Sequence, residues 1–207
     1  RSGSKGLPDK NILDIDGHPL MAYAIAYGKR LNLDRVLVST DSEKYAKLAV
    51  KYGAECPYLR SHKASNDSAR EEDILFDLDK NLPKYNIDVP DIWVWLKPTN
   101  PFRCLDAGRE GIKILSDNPD IDSIRIVSES DLRLQKINSD GFLETVGSDW
   151  DPKFSKLPRT AFPRVFKPYN QEIFRHNLWR SLGPKFMGDN IWPIVRPRIT
   201  GIDIDDI

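Results

Sequence analysis

The chain has 207 residues, of which 31 are lysine or arginine and 31 are aspartate or glutamate, so its formal net charge at pH 7 is zero. A protein that binds nucleic acid non-specifically needs an excess of basic residues, so this balance argues against that class. No apolar stretch approaches the roughly 20 residues of a membrane-spanning helix, and no secretory signal peptide is recognisable. We therefore expect a cytoplasmic globular protein that binds neither nucleic acid nor membranes, with Cys56 and Cys104 as free thiols.

Short apolar runs alternate with segments of helical periodicity along most of the chain. After NILDIDGHPL, which turns at Asp16-Gly17, helices are predicted at MAYAIAYGKRLN, SEKYAKLAVKYG, SAREEDILFDLDKNL and CLDAGREGIKILSDN. Strands are predicted at DRVLVSTD, AECPYLR, DIWVWLKPTNP and DSIRIVSES. Such alternation is typical of an α/β fold, here a mostly parallel sheet with helices on both faces. Ligands of such sheets bind beyond the carboxyl ends of the strands.

The pattern changes between residues 131 and 171, which are richer in proline, arginine and aromatic residues. Within this segment QKINSDGFLETV predicts a β-hairpin closed at Asp140-Gly141. EIFRHNLWRSLG then predicts a strand and a helix, and TGIDIDDI predicts a short closing strand. We therefore expect one domain, residues 1–207, with an inserted segment at 131–171.

The chain opens on RSGSKGLPDKN, a basic loop that contains two glycines. Positive charge, close backbone approach at glycine and neutral hydrogen bonds together suit a polyphosphate, although neither G-x-x-x-x-G-K-[ST] nor G-x-G-x-x-G can be read here. The alternative is a flexible, solvated tail. Because such a loop needs an anchor, we expect a missing first central strand before it, and a domain truncated at both ends. The candidate phosphate-binding residues are Arg1, Ser4, Lys5, Lys10 and Asn11.

Two aspartates alternate along the predicted closing strand. Residues at i and i+2 of a strand share a face, so Asp203 and Asp205 project to the same side. Two carboxylates this close repel unless a cation lies between them, and Mg²⁺ takes one or two carboxylates plus phosphate oxygens. The alternative is a solvated edge strand with acidic outer positions.

Two further segments carry candidate ligand-binding side chains. In LKPTNPFR two prolines stiffen the loop and pre-organise its polar groups, although the loop could equally be a rigid connecting turn. In LPRTAFPRVFKPYNQ, Arg159, Arg164 and Lys167 suit a carboxylate-bearing ligand or an acidic partner, or are solvated on an exposed hairpin. The three histidines are scattered and are assigned no role. The candidates in the first segment are Lys97, Thr99, Asn100 and Arg103.

The order and spacing of these segments resemble the N-acylneuraminate cytidylyltransferase family, the CMP-sialic acid synthetases. The opening loop is the most specific segment, because that family reads R-x-x-S-K-G-[LI]-P-x-K-N there, after a first strand. The resemblance extends over nearly the whole chain through NILDIDGHPLMAYAI, DRVLVSTDSEKYAKLAVKYGAE, LKPTNPFR and GIDIDDI.

The resemblance implies a Rossmann-like nucleotidyltransferase fold whose inserted hairpin serves dimerisation, and hence a homodimer. It implies transfer of CMP from CTP to the anomeric hydroxyl of a 2-keto sugar acid, with release of pyrophosphate. Arg1 and Lys10 would then act catalytically by neutralising phosphate charge, and Asp203 and Asp205 would hold the cofactor Mg²⁺. Beyond the LKPTNPFR candidates, the positions that match the family near the sugar are Lys136 and Arg159.

Three departures from the family pattern concern the sugar side. Lys97 stands where the family has the sugar-contacting glutamine of Q-P-T-S-P-L-R, NDSAREED stands where it has SD-T-A-S, and KPYNQEIF stands where it has R-P-N-G-A-I-Y. Lys97 suits a more anionic acceptor, or it pairs with a nearby acid such as Glu71. The acceptor therefore stays open among N-acylneuraminate, Kdo, pseudaminic acid, legionaminic acid and a phosphonate. A non-catalytic nucleotide-binding relative also stays open.

Overall fold

The computed structural model describes residues 2–3, 7–130, 134–146, 158, 160 and 163–204. Helices in these ranges are α1 (Leu20–Arg30), α2 (Glu43–Lys51), α3 (Glu71–Asn81), α4 (Leu105–Asp117) and α5 (His176–Leu182). Strands are β1 (Asp14–Ile15), β2 (His18–Pro19), β3 (Ile92–Leu96), β4 (Ser123–Ser130), β5 (Gln135–Ile137), β6 (Leu143–Thr145), β7 (Val165–Arg175) and β8 (Ile191–Val195). None of the described helices is long and apolar enough to cross a membrane.

The central sheet has four strands in the order β3-β7-β4-β8. β7 runs antiparallel to both β3 and β4, and β4 runs parallel to β8, so three of the four strands run in one direction and β7 alone is reversed. The reversal has a local cause, because Ser130 at the end of β4 pairs with Val165 at the start of β7. The chain thus re-enters the sheet beside the residue where it left, and an antiparallel return needs no helical crossover.

Helices cover both faces of this sheet, as the sequence predicts. On one face Leu78 of α3 packs in a cluster with Trp93 of β3. On the other face Leu115 of α4 packs with Ile124 and Ile173. Each cluster consists of buried apolar side chains. The burial of apolar surface on both faces of the sheet therefore stabilises the packing of the helices against it.

Glycine lets α4 approach the sheet closely. A Cβ added at Gly111 would lie 2.7 Å from Ile173 Cδ1 and 3.1 Å from Ile124 Cγ2. Since neither neighbour can retreat within a packed core, a larger residue here would force the helix away from the strands.

Two predicted strands do not form as ladders. Between DRVLVSTD and AECPYLR there is one isolated parallel bridge, from Leu37 to Glu55. The Val38 N–H donates to the Glu55 carbonyl at 2.8 Å, and the Glu55 N–H donates to the Val36 carbonyl at 2.8 Å. The expectation of two regular strands was therefore wrong, because the first segment has a backbone partner on one side only and a cavity on the other.

The predicted closing strand is also absent from the described residues. A 3₁₀ turn spans Arg198–Gly201, and residues 202–204 belong to no strand. The Ile204 N–H donates to the Thr99 carbonyl at 2.8 Å, so this segment is bonded to a loop rather than to a neighbouring strand. Residues 205–207 lie outside the described ranges.

The predicted turn at Asp16-Gly17 and the predicted hairpin at Asp140-Gly141 are both confirmed, and the turn also joins two short paired strands. In the first, Asp16 and Gly17 turn the chain between β1 and β2 with φ of 53° and 79°. In the second, β5 pairs with β6, the Asn138 side chain accepts the Phe142 N–H at 2.9 Å, and Gly141 has φ of 85°. The positive φ values explain the Asp-Gly pairs, which adopt this conformation at little steric cost. The first part of β7 also lies within the segment 131–171.

Candidate functional site

The opening loop is attached to the end of the segment 34–40. The Ser2 N–H donates to Asp41 Oδ1 at 2.7 Å, and the Ser2 hydroxyl donates to Asp41 Oδ2 at 3.0 Å. Burial acts to raise the pKa of the Asp41 carboxyl, but hydrogen bonds from Ser2 and from its own backbone outweigh it, so the pKa lies below its ordinary value. Asp41 is therefore ionised at neutral pH and holds the loop. Arg1, Ser4 and Lys5 lie outside the described residues.

A second aspartate holds the other end of the loop. Asp9 adopts a left-handed conformation with φ of 55°, and its carboxylate accepts from Lys44 Nζ at 3.0 Å and from the Tyr45 hydroxyl at 2.9 Å. These hydrogen bonds lower the pKa of the Asp9 carboxyl below its ordinary value. Lys10 and Asn11 follow in a short 3₁₀ turn, so α2 fixes the backbone of both candidate phosphate-binding residues.

Residues from three segments of the chain line one cavity. Asn11 of the opening loop, Thr40 of the segment 34–40 and Lys97 at the end of β3 all contribute to its wall. Two of these segments, the opening loop and LKPTNPFR, carry candidate ligand-binding residues, and they therefore border the same cavity. What each side chain binds stays a prediction.

The loop 97–103 is shaped by its own arginine. The Arg103 guanidinium donates to the carbonyls of Lys97 and Asn100 and lies over the Tyr27 ring, 5.9 Å from its centroid. Burial lowers the pKa of Arg103 to about 10, while Tyr27 and Asp203 act in the opposite direction. Arg103 is thus still charged at neutral pH, in a buried position where an anion such as Asp203 stabilises it.

Asn100 joins this loop to the end of the described chain. Its side chain is 1% exposed, and its Nδ2 donates to the carbonyls of Thr200 and Ile202, each at 3.0 Å. Together with the bond from Ile204 to Thr99, these contacts place the residue between them, Asp203, beside the loop. Asn100, a candidate ligand-binding residue, therefore acts as a structural clamp in this structure.

Lys97 pairs with an acid. Its Nζ lies 2.7 Å from Glu71 Oε1, with 46% of the lysine side chain and 29% of the glutamate side chain exposed. Both residues line the cavity, so the pair lies at the candidate site. Of the two explanations that the sequence left open, the structure shows the pairing of Lys97 with Glu71. The role of Lys97 towards an acceptor stays a prediction.

Of the two predicted metal ligands, the structure describes one. Asp203 is half-buried beside the Arg103 loop, whereas Asp205 lies outside the described residues. Among the residues described, no group of three or more His, Cys, Asp or Glu side chains could hold a metal ion. Carboxylate oxygen is the ligand type that Mg²⁺ prefers, so the chemistry of Asp203 fits the ion. The predicted pair stays a prediction.

Of the two other residues predicted to lie near the sugar, Lys136 and Arg159, the structure describes Lys136. Lys136 lies on β5 and pairs across the hairpin with Glu144, its Nζ 2.8 Å from Oε1. Arg159 lies outside the described residues. Lys136 is therefore paired within the hairpin, and the role of each residue near the sugar stays a prediction.

Sequence analysis overlooked two contributors to the site. Asp9 anchors the loop, but its partners Lys44 and Tyr45 are more than 30 residues away and nothing local predicts the contact. Arg60 is 8% exposed, lines the cavity and donates its backbone N–H to the Thr40 carbonyl at 2.7 Å. A lone arginine after an apolar run gives no signal of burial, because arginine is exposed in most proteins.

Comparison with known proteins identifies the class. The family model for Cytidylyltransferase matches residues 1–102. This match, together with relatives that are N-acylneuraminate cytidylyltransferases, confirms the predicted resemblance to that family. The chain is 31% identical over 208 aligned positions to an N-acylneuraminate cytidylyltransferase of Escherichia coli, an alignment that covers 100% of this chain and 48% of the relative.

A second relative is a CMP-N,N'-diacetyllegionaminic acid synthase of Legionella pneumophila. It is 34% identical over 115 residues, which are 55% of this chain and 49% of the relative. The chain thus spans about half the length of the curated relatives it matches. A solved structure of CMP:2-keto-3-deoxy-manno-octonic acid synthetase complexed with CTP has a TM-score of 0.61 at 15% identity, covering 94% of this chain and 86% of that chain. At this identity the likeness shows the α/β fold alone.

The first prediction concerns the Asn100 clamp. Asn100→Ala removes both amide donors and leaves two carbonyls without them, so the free energy of unfolding is expected to fall by about 1–3 kcal/mol in a urea titration. Hydrogen exchange at the Ile204 amide is expected to accelerate. Asn118→Ala is the matched control, because that amide donates to the Ile114 carbonyl from an exposed position. Equal losses in the two variants would contradict the clamp.

Proposed function

We propose that the protein transfers CMP from CTP to a 2-keto sugar acid of the nonulosonic type. Two observations carry this proposal: Asn11 of the opening loop and Lys97 line one cavity, and the loop 97–103 is bonded to the segment that contains Asp203. Relatives named for CMP transfer to such acids support the substrate class. We further propose that the reaction takes place in the cytoplasm, where CTP is made.

The proposed reaction is an in-line displacement at the α-phosphorus of CTP. A bond forms between the anomeric oxygen of the sugar acid and the α-phosphorus, and the bond from this phosphorus to the bridging oxygen breaks. Pyrophosphate leaves with that oxygen, and the hydroxyl proton passes to solvent. Little covalent chemistry is asked of the protein, whose main tasks are positioning and charge stabilisation.

The proposed phosphate site is the opening loop. Arg1 and Lys10 would neutralise the phosphates, and Ser4, Lys5 and Asn11 would add hydrogen bonds. The anchoring of Asp9 by α2 supports this role, since a backbone held in advance loses less freedom on binding a ligand.

The proposed metal ligands are Asp203 and Asp205. When bound, Mg²⁺ would neutralise charge on the phosphates and on the departing pyrophosphate. The hydrogen bonds of Asn100 would hold Asp203 beside the loop 97–103, which carries the candidate acceptor-binding residues.

The second prediction tests the activity and its nucleotide site. The protein is expected to release pyrophosphate from CTP only with a sugar acid present, whereas a non-catalytic nucleotide-binding relative would release none. Lys10→Ala is expected to weaken CTP binding in calorimetry by about 1.5–3 kcal/mol, because one charge-assisted contact is lost. Lys47→Ala is the control, since that lysine is 82% exposed on α2. Unchanged CTP affinity in Lys10→Ala would remove this loop from the nucleotide site.

The third prediction concerns acceptor choice. We propose that Lys97 meets an anionic group of the acceptor and that Glu71 competes for it. Lys97→Gln is expected to change the ranking of kcat/KM among N-acetylneuraminate, legionaminate, pseudaminate and Kdo by about tenfold, because a polar mismatch leaves site groups unpaired. Glu71→Gln should keep the ranking and lower KM for the favoured acid. An unchanged ranking in Lys97→Gln would leave the pairing with Glu71 as the whole role of this lysine.

We also propose that the protein is a homodimer joined through the hairpin of β5 and β6. Large apolar side chains stand exposed along this hairpin, in contrast to the buried clusters of the sheet. Such a patch on a soluble protein marks an interaction surface. The side chains that form it are Leu134, Ile137, Phe142 and Leu143, with exposed fractions of 58%, 72%, 71% and 67%.

The fourth prediction tests the dimer. Phe142→Glu places a charge in the centre of the exposed patch and is expected to convert the dimer to a monomer in light scattering after gel filtration. Phe76→Glu is the matched control, because Phe76 is also about half exposed but lies on α3. A wild-type protein that is already monomeric, or a dimer that survives Phe142→Glu, would contradict the proposal.

A further inference from the structure

His176, the first residue of α5, connects three elements of the fold through its buried ring. The residue is 8% exposed. The Trp93 indole of β3 donates its Nε1–H to His176 Nδ1 at 3.0 Å, and His176 Nε2 lies 3.1 Å from Asp79 Oδ1 of α3. The backbone N–H of His176 also donates to the Asp91 carbonyl at 2.8 Å, which fixes the main chain from which the ring projects. One histidine thus joins β3 to α3.

The hydrogen bonds of the ring determine where its proton lies. An indole N–H donates and never accepts, so His176 Nδ1 must present a lone pair to Trp93. The proton of the neutral ring therefore lies on Nε2, from which it is donated to the Asp79 carboxylate. A second proton on Nδ1 would point directly at the indole N–H, which cannot accept it. The contact with Trp93 therefore requires the neutral ring.

The surroundings of the ring also favour its neutral form. Burial has the largest effect and lowers the pKa of His176 below its ordinary value. Asp79 of α3 and Asp91, just before β3, act in the opposite direction. Arg180 of α5 adds to the lowering and also donates to Asp79 Oδ1, so part of the charge of that carboxylate is already compensated. The ring is therefore neutral at neutral pH, as its hydrogen bonds require.

Protonation would break a contact inside the apolar core. Trp93 is 9% exposed and belongs to the buried cluster that contains Leu78 of α3. A protonated ring keeps Asp79 as an acceptor but has no lone pair for the indole. The Trp93 N–H would then be buried without its acceptor, which is costly in an apolar environment. The cost of the second proton thus falls on the packing of α3 against β3.

We propose that His176 is a proton-sensitive joint between β3 and the helices α3 and α5, and that acid loosens this face of the sheet. The unfolded chain takes up the proton near pH 6.5, whereas the folded chain resists it. The contribution of the joint to stability is therefore complete above about pH 6.5 and is lost as the pH falls below that value.

The joint is connected to the candidate site by one helix. Glu71 and Ile74, in the first turn of α3, line the cavity, and Asp79 near the other end of the helix meets His176. A change in how α3 packs on β3 would therefore also change the cavity wall. This inference goes beyond the proposed function, and its test needs no catalytic readout.

The fifth prediction concerns the response of this face to acid. From about pH 7.5 to about pH 5.5, hydrogen exchange at the Trp93 indole and the Leu78 amide is expected to accelerate by up to about tenfold, after correction for the intrinsic pH dependence of exchange. The limit is the roughly ten-to-one excess of protonated over neutral histidine at pH 5.5 when the ring is released.

Two asparagine variants show whether His176 causes this response. In His176→Asn the amide oxygen replaces Nδ1 as an acceptor for Trp93 but does not titrate, so the pH response is expected to disappear. His62→Asn is the matched control, because His62 is exposed, and it is expected to keep the response. The same response in His176→Asn as in the wild type, or no response in the wild type, would overturn the proposal.

A titration of the imidazole rings by NMR tests the role of Trp93 itself. Trp93→Phe removes the N–H that faces Nδ1, so the pKa of His176 is expected to rise towards its ordinary value. An unchanged pKa would show that burial alone excludes the proton, and the joint would be wrong. Nitrogen-15 shifts of the wild type are expected to place the proton of the neutral ring on Nε2. A proton on Nδ1 would overturn the proposal even if neither variant at this contact folds.

Discussion

The buried amide of Asn100 is the contact on which the candidate site depends. It donates to two carbonyls about 100 residues away in the chain, and no local pattern brings those segments together. An asparagine can do this because its NH₂ has two donors, so one side chain satisfies two backbone acceptors that would otherwise be buried without partners. Asp203 lies between the two held residues. The position of the candidate metal ligand is thereby coupled to the loop at the end of β3.

Acidic side chains are paired with polar or charged groups along the candidate site. Lys97 forms an ion pair with Glu71, the Ser2 hydroxyl and N–H donate to Asp41, and Asp203 interacts electrostatically with Arg103. Each acid compensates a group that an anionic ligand could also engage. A polyanion entering such a site would exchange one set of partners for another rather than meet bare cations, which reduces the penalty for keeping charges in a partly buried place.

Local features of the sequence predicted local structure well. The helices α1 to α4 and the turns at Asp16-Gly17 and Asp140-Gly141 are fixed by periodicity and by residues that accept positive φ. The strands were harder to predict, because a strand is defined by its hydrogen bonds to neighbouring segments that can be distant in the sequence. DRVLVSTD has the composition of a buried strand but a backbone partner on one side only. β7 runs antiparallel to β4 because the chain returns beside the end of β4, and nothing in the residues of β7 itself predicts that direction. Anchors such as Asp9 were invisible for the same reason.

The opening loop is held at both ends, and this links the fold to the candidate site. Ser2 is bonded to Asp41 at one end, and Asp9 is bonded to Lys44 and Tyr45 of α2 at the other. Asn11, which follows Asp9 closely, lines the same cavity as Lys97 at the end of β3. A loop whose backbone is held in advance loses less freedom on binding a ligand than a solvated tail would. The anchoring aspartates therefore distinguish this loop from the flexible tail that its composition also allowed.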